Sequence, residues 1–288
     1  MPCETFQEKN RSVAQVTDVG KQRKNNEDAL LVMNEAGCYV VSDGMGGGSA
    51  GEIASSTVVT FIRNTLDSTP MLPEARKENL SAAVYAANTA IANYAEKRGY
   101  RSMGATVAVL LLNPWLPGKA NLYFAGDSRI YRVRKGRIEC LSADHTVAAA
   151  AGIPESRLPD YMRGVLSNAV GLKSNFFLAS AETDVKKDDV FLLCSDGLYR
   201  QIPDAALAGG LAGSKDLRQT LESWVRTANE AQGLDNLSAI AVRFDGIPGP
   251  YSPTPEEIAA NDSPEVNNRI GQLSDTEIPE ENLEDTRI

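Results

Sequence analysis

Two apolar runs in this chain, 38–41 and 190–194, stop on the same tripeptide, Ser42-Asp43-Gly44 and Ser195-Asp196-Gly197. Each run reads as a buried strand, and an acid held at its end by a tight glycine turn is how a sheet delivers carboxylates to a common rim. A third run, 121–125, ends on Gly126-Asp127, and a fourth acid, Asp235, stands just before a strand-like segment at 237–244. These acids meet only if their strands are neighbours. An all-oxygen cluster of that kind suits hard divalent cations such as magnesium or manganese.

Strand-like segments recur at 29–33, 38–41, 105–112, 121–124, 130–133, 190–194 and 238–244, most of them rich in β-branched or aromatic residues. Arg134-Lys135-Gly136-Arg137 reads as a hairpin turn between 130–133 and 138–141, and connections this short favour antiparallel sheets. Helices are expected over 50–66, over 73–97, where Pro73 suits a first turn and Gly99 follows the end, and over 214–230. Leu80, Val84, Ala87, Ile91 and Tyr94 share one face of the second, and Leu217, Leu221, Trp224 and Val225 one face of the third. These stripes read as core.

At 288 residues and 42% hydrophobic composition the chain can build one sizeable domain or two small ones, and 13–244 alternates strand and helix patterns with no internal linker. Residues 1–12 are set apart as an N-terminal extension and 13–245 as the domain, with a flap-like surface insertion near the acidic rim at about 146–177, where Pro154 and Pro159 break the pattern. The remainder, 246–288, is expected to be a disordered acidic tail. Residues 251–288 hold ten acids against Arg269 and Arg287, so they carry −8 of the formal charge of −9 and the first 250 residues carry −1. No basic stripe is left to bind nucleic acid.

No apolar stretch approaches the roughly 20 residues of a membrane span, and MPCETFQEKNRS lacks the apolar core of a signal peptide, so a cytoplasmic protein is expected. Cys3, Cys38, Cys140 and Cys194 are scattered without paired spacing and read as free thiols. His145 is the single histidine, which leaves little material for imidazole-based zinc chemistry.

The chain also carries Thr17-Asp18-Val19-Gly20, Arg23 and Asn26-Glu27-Asp28, then DGMGG at 43–47, GAT at 104–106, GDSR at 126–129, ADHT at 143–146, SDGL at 195–198 and GLDN at 233–236. In this order the series resembles the metal-dependent protein phosphatase 2C family, in its bacterial branch. The resemblance implies an α+β fold, a four-layer α-β-β-α sandwich of two packed antiparallel sheets flanked by helices. It also implies a monomeric protein Ser/Thr phosphatase, a phosphoric monoester hydrolase that acts on phosphoproteins and opposes a Ser/Thr kinase.

The resemblance implies two or three divalent cations, Mn2+ or Mg2+. Asp43 would bridge two of them, with the carbonyl of Gly44 completing the second; Asp196 and Asp235 would hold the first, and Glu27 and Asp28 would act on the second directly or through water. Asp127 would share a weaker third ion with Asp196. A metal-bridging hydroxide would attack phosphorus in line without a phosphoenzyme. Arg23, five residues before Asp28, could pair bidentately with phosphate oxygens.

Animal members of the family have a histidine two residues after the bridging aspartate, where this chain has Met45; bacterial members commonly read DGMGGH, where this chain has Gly48. A metal-bound water is then the expected acid for the leaving alkoxide, and Gly48 is expected to alter loop packing or substrate access. His145 and Arg129 are expected to make structural hydrogen bonds and ion pairs, and Asn236 to orient the loop of Asp235. Two rival readings are weaker. A phosphoprotein-binding pseudophosphatase predicts a lost ligand, and none of the ligand positions is lost; a haloacid dehalogenase-type phosphohydrolase needs an Asp-x-Asp motif near the N-terminus, which is absent.

Overall fold

Successive residues of the central strands feed two different cores, which is why those strands read as unbroken apolar runs. The computed structural model describes residues 3–8, 10–68, 73–113, 116–247, 249, 255 and 278. One sheet has the order β1-β2-β12-β11-β8-β9, from β1 (Cys3–Glu8), β2 (Arg11–Asp18), β8 (Arg129–Arg134), β9 (Arg137–Cys140), β11 (Val190–Cys194) and β12 (Leu237–Phe244). The other has the order β10-β7-β6-β4-β3, from β3 (Asp28–Met33), β4 (Cys38–Met45), β6 (Val107–Leu112), β7 (Lys119–Ala125) and β10 (Ala179–Asp184), with β5 (Gly104–Ala105) paired to the end of β4. Every one of these pairings is antiparallel.

Between the sheets lie Tyr39 and Val41, Leu110, Phe191 and Leu193, and Ile240, Val242 and Phe244. Their alternate neighbours face helices instead. Cys38, Val40, Val107, Val109 and Leu111 meet α1 (Ser49–Ser68) and α2 (Pro73–Arg98), while Leu192, Cys194, Ala239 and Ala241 meet α5 (Asp204–Ala212) and α6 (Leu217–Glu230). Three apolar layers thus separate four structural layers, and each large side chain sealed in them contributes on the order of 1.5–3 kcal/mol. The expected sandwich is the observed one.

The local signals explain most boundaries. Lys135 and Gly136 both adopt positive φ, 51° and 74°, the two-residue turn whose twist matches the strands it joins. Asp216 accepts from Gln219 N–H at 3.3 Å and so starts α6 at Leu217, three residues later than the apolar pattern alone suggests. In the segment expected to be a flap-like insertion, α3 (Val147–Ala151) is capped by the Thr146 hydroxyl and closed by Gly152 at φ 64°. The second half of that insertion is not merely superficial: Asn168, Ala169, Val170 and Phe176 are buried, and Val170 bridges to Ala105.

The interior strand β2 and the helical turn at Asp196–Tyr199 escape the sequence patterns, and so do three further elements. Cys3–Glu8, set apart above as an extension, pairs along its length with β2 as an edge strand, and Ala179–Asp184 forms the opposite kind of edge on β7. Edge strands are exposed along one side and tolerate polar residues, so they lack an apolar run. The third, α5, carries Gly209 and Gly210 within its span, which weakens its helical signal. The expectation of a disordered acidic tail falls outside the described residues; of that stretch, Ile278 packs half-buried against the core of α1 and α2.

Candidate active site

Asp43 sits where β4 leaves the sheet, and it is fastened there by the GAT segment. Its N–H donates to Thr106 Oγ1 at 2.9 Å, Thr106 N–H donates to the Asp43 carbonyl at 2.8 Å, and the Ser42 hydroxyl donates to the Thr106 carbonyl at 2.7 Å. Thr106 and Ser128 share a hydroxyl hydrogen bond of 2.6 Å, which ties the turn of Asp127 to the same point. Asp28 on β3 stands directly opposite Asp43 in the ladder, so their side chains share a face.

The other sheet supplies the rest. Ser195 Oγ donates to Asp28 Oδ2 at 2.8 Å and accepts from Ser238 N–H at 3.0 Å, joining the two sheets at their acidic ends. Asp196 follows at the start of the short helix α4 (Asp196–Tyr199). Asn236 is buried, accepts from Glu27 N–H at 2.8 Å, and donates to the carbonyls of Val19 and Asn25 at 2.9 Å each. Its own N–H donates to Asp235 Oδ1 at 2.8 Å, so one residue orients Asp235 and fixes the main chain at Glu27.

One glycine is required here by position, and a second has a left-handed backbone. A Cβ on Gly44 would fall 2.0 Å from the carbonyl oxygen of Gly51, so the backbones of β4 and α1 meet at a distance no side chain permits. Gly48 adopts φ +61° and lies open, a Cβ there meeting nothing within 4 Å, and its backbone opposes the upward push of burial on the Glu27 carboxyl.

Arg23, Glu27, Asp43, Gly44, Asp127, Asp196 and Asp235 all line one cleft of about 740 Å³. Burial, and then the repulsion of Asp28, Asp196, Asp127 and Asp235, drives the Asp43 carboxyl well above the ordinary carboxylate range. Burial also pushes Asp28 up to about 7, against the hydrogen bonds from Ser238 and Ser195, and pushes Asp127 up to about 7 with Asp196 adding to it. Asp196 and Glu27 are raised by burial too, with Arg200 and Arg23 respectively opposing. Asp28 Oδ1 is buried without a hydrogen-bond partner.

That surplus of buried negative charge, with an orphaned carboxylate oxygen in it, fits a donor set for hard cations. Among the described residues no three His, Cys, Asp or Glu side chains are gathered closely enough to hold one ion by themselves. The acids stand along the walls of an open cleft, an arrangement suited to ions such as Mg2+ that retain several of their waters.

The structure thus brings Arg23, Glu27, Asp43, Gly44, Asp127, Asp196 and Asp235 to one cleft, with Asp28 buried beside them opposite Asp43 and hydrogen-bonded to Ser195. Arg23 pairs with Asp235 at 2.9 Å and is about half exposed, on the solvent side of the cleft. Arg129 holds Asp144 through two hydrogen bonds of 2.9 and 2.7 Å and lies 3.7 Å from the Tyr199 ring centre, away from the cleft lining. His145 packs between Phe124 and Phe177, hydrogen-bonded to Asn168 at 3.1 Å, and burial lowers its pKa. Sequence reasoning missed Arg200, which pairs with Asp196 at 2.8 Å; its place four residues after Asp196 on a helical turn was the available signal.

Residues 20–240 match the family model for protein phosphatase 2C. The protein phosphatase PhpP of Streptococcus pneumoniae is 30% identical over 246 residues, covering 81% of this chain and 97% of PhpP. Among solved structures, PppA, described as a key regulatory component of T6SS in Pseudomonas aeruginosa, superposes with a TM-score of 0.74 at 33% identity, covering 82% of this chain and 98% of PppA. The catalytic domain of the serine/threonine protein phosphatase PstP, solved with two manganese ions, gives 0.69 at 27% identity over 81% of this chain and 98% of that one. With its sandwich, its acidic cleft and these likenesses in agreement, the chain belongs to the protein phosphatase 2C family, in its bacterial Ser/Thr phosphatase branch.

Proposed function

We propose that this chain hydrolyses phosphoserine and phosphothreonine in proteins with the help of two divalent cations, Mn2+ or Mg2+, as a cytoplasmic monomer opposing a Ser/Thr kinase. The observation that carries this reading is the gathering of acids from both sheets onto one cleft, at the cost of strong mutual repulsion. Buried like charges are retained where a cation is to be held. The two manganese ions of PstP support the same assignment by analogy. No described helix is long and apolar enough to cross a membrane.

Asp43, Asp196 and Asp235 would hold one ion, and Asp43, the Gly44 carbonyl, Glu27 and Asp28 the other. Bound there, such cations supply Lewis-acid polarisation of phosphoryl oxygens and bring the pKa of water toward neutrality. The protein's own residues do the positioning. Arg23 releases Asp235 to clamp two phosphate oxygens with its planar fork, neutralising charge that grows in the transition state. Ser195 and Asn236 hold Asp28, Glu27 and Asp235 in register, so the ligands need no reorganisation when substrate arrives. Met45 lines the cleft and His145 does not, so His145 is not the acid that protonates the departing alkoxide.

Hydrolysis of p-nitrophenyl phosphate and of a phosphothreonine peptide, measured with added Mn2+ and again with chelator, tests this. The expected result is turnover that chelator stops and Mn2+ restores. Turnover that survives chelation sinks the metal reading, and phosphopeptide binding without turnover favours the pseudophosphatase.

A further inference from the structure

On one wall of the cleft a single cation joins carboxylates from three separate elements. Arg200 places Nε 2.8 Å from Asp196 Oδ2, Nη2 3.7 Å from Asp127 Oδ2 and Nη1 3.3 Å from Glu155 Oε2. Asp127 and Asp196 are largely buried, their side chains 7% and 19% exposed, while Glu155 belongs to the insertion at 146–177 and also accepts from Gly164 N–H at 2.7 Å. The arginine is steadied by its surroundings. Its N–H donates to the Asp196 carbonyl at 3.0 Å, and the neighbouring Tyr199 ring lies against Arg129, which is itself pinned to Asp144.

We propose, resting on the metal-dependent reading above, that Arg200 is a built-in cation occupying the place between Asp127 and Asp196, and that it ties the insertion to that place through Glu155. A guanidinium keeps its charge at any working pH and presents donors in a fork that can reach several carboxylates at once. A divalent ion seeking Asp127 and Asp196 must first displace it and forfeit the contact with Glu155. Binding of such an ion and attachment of the insertion are therefore mutually opposed, each weakening the other by the same factor. The chain works with two ions, and the position expected for a third belongs to its own side chain.

The test is Mn2+ binding to the full-length protein, counted by electron paramagnetic resonance of the free ion, for wild type, Arg200→Gln, Asp127→Asn and the double variant. Arg200→Gln should gain a further Mn2+ or bind its weakest one at least about tenfold tighter, since a positive charge a few ångströms away has gone. Adding Asp127→Asn should remove that gain, and Asp127→Asn alone should leave the wild-type count unchanged. An Arg200→Gln protein with wild-type Mn2+ binding, or loss of an ion in Asp127→Asn alone, overturns the proposal. Asp43→Asn separates the two readings: if it abolishes tight Mn2+ binding while Arg200→Gln gains nothing, only the role of Arg200 fails. A wild type that binds no Mn2+ sinks both.

Discussion

Asp28 and Asp43 face each other across the β3–β4 ladder, two carboxylates at directly opposed positions of an antiparallel pair. Like charges so placed destabilise a sheet unless something neutralises them. The Ser195 hydroxyl addresses one oxygen of Asp28 and leaves Oδ1 without a partner, so the pair keeps an affinity for cations that the fold itself does not satisfy.

Replacing Asp43 with Asn should therefore act in opposite directions on two measurements. Turnover with Mn2+ should fall by roughly 100-fold or more, because a central charge for holding cations is gone. The melting temperature of the chelated protein should hold or rise, because a buried, repelled acid is gone. A chelated variant that melts well below wild type contradicts the account of the cluster.

Stability of the chelated protein should fall as pH rises from about 4 to about 7. Asp28 and Asp127 titrate at about 7 in the folded chain, whereas unfolded aspartates ionise near about 3.9. In that interval the native state retains protons that the unfolded state has released, so raising the pH favours unfolding; below about 4 both states are protonated and the penalty vanishes. Thermal melts across this interval, with chelator and with saturating Mn2+, check both sign and cause. A slope unchanged by Mn2+ would place its origin elsewhere.

Arg23→Ala should raise KM for a phosphothreonine peptide by about tenfold, the value of one or two charge-assisted hydrogen bonds, with a smaller change in kcat. Initial-rate kinetics over a range of peptide concentrations separates the two constants. A loss confined to kcat would mean that Arg23 acts on the reacting group alone and not in binding.

Asn236→Ala removes the acceptor for Glu27 N–H and the donor to the carbonyls of Val19 and Asn25. Destabilisation of about 1–3 kcal/mol is expected from the buried groups left unpaired. Mn2+ affinity should weaken as well, since Glu27 loses its anchor. Urea unfolding and Mn2+ titration on the same preparation would show the two effects together, and a stable variant with weakened Mn2+ binding would assign Asn236 to the site alone.

Asp43, Asp127 and Asp196 were legible because each closes a strand buried on both faces, and Asp235 because it stands just before another, whereas Glu27 and Asp28 stand at the start of the half-exposed β3 and were found from the motif series. A continuous run such as Val190–Cys194 leaves little freedom in where Asp196 emerges, and the ordered series of motifs supplied the partners. Elements at the margins were not legible: Cys3–Glu8 and Ala179–Asp184 are edge strands whose residues answer to solvent as much as to a core. Arg200 was missed for a related reason, since an arginine one helical turn past an acid is an ordinary surface pair unless Asp127 and Glu155 are known to stand beside it.

What the sequence determined alone is the inventory and its local placement: which strands are buried, which turns take glycine, and which residue closes each strand. Those follow from side-chain burial and backbone sterics within a few residues. The tertiary structure decided the meeting of the two sheets, where Ser195 reaches Asp28 and Asn236 reaches Glu27 across more than 160 positions of chain. Such contacts depend on strand order and sheet packing, which local pattern does not encode, and they alone turn separate acids into one charged cleft.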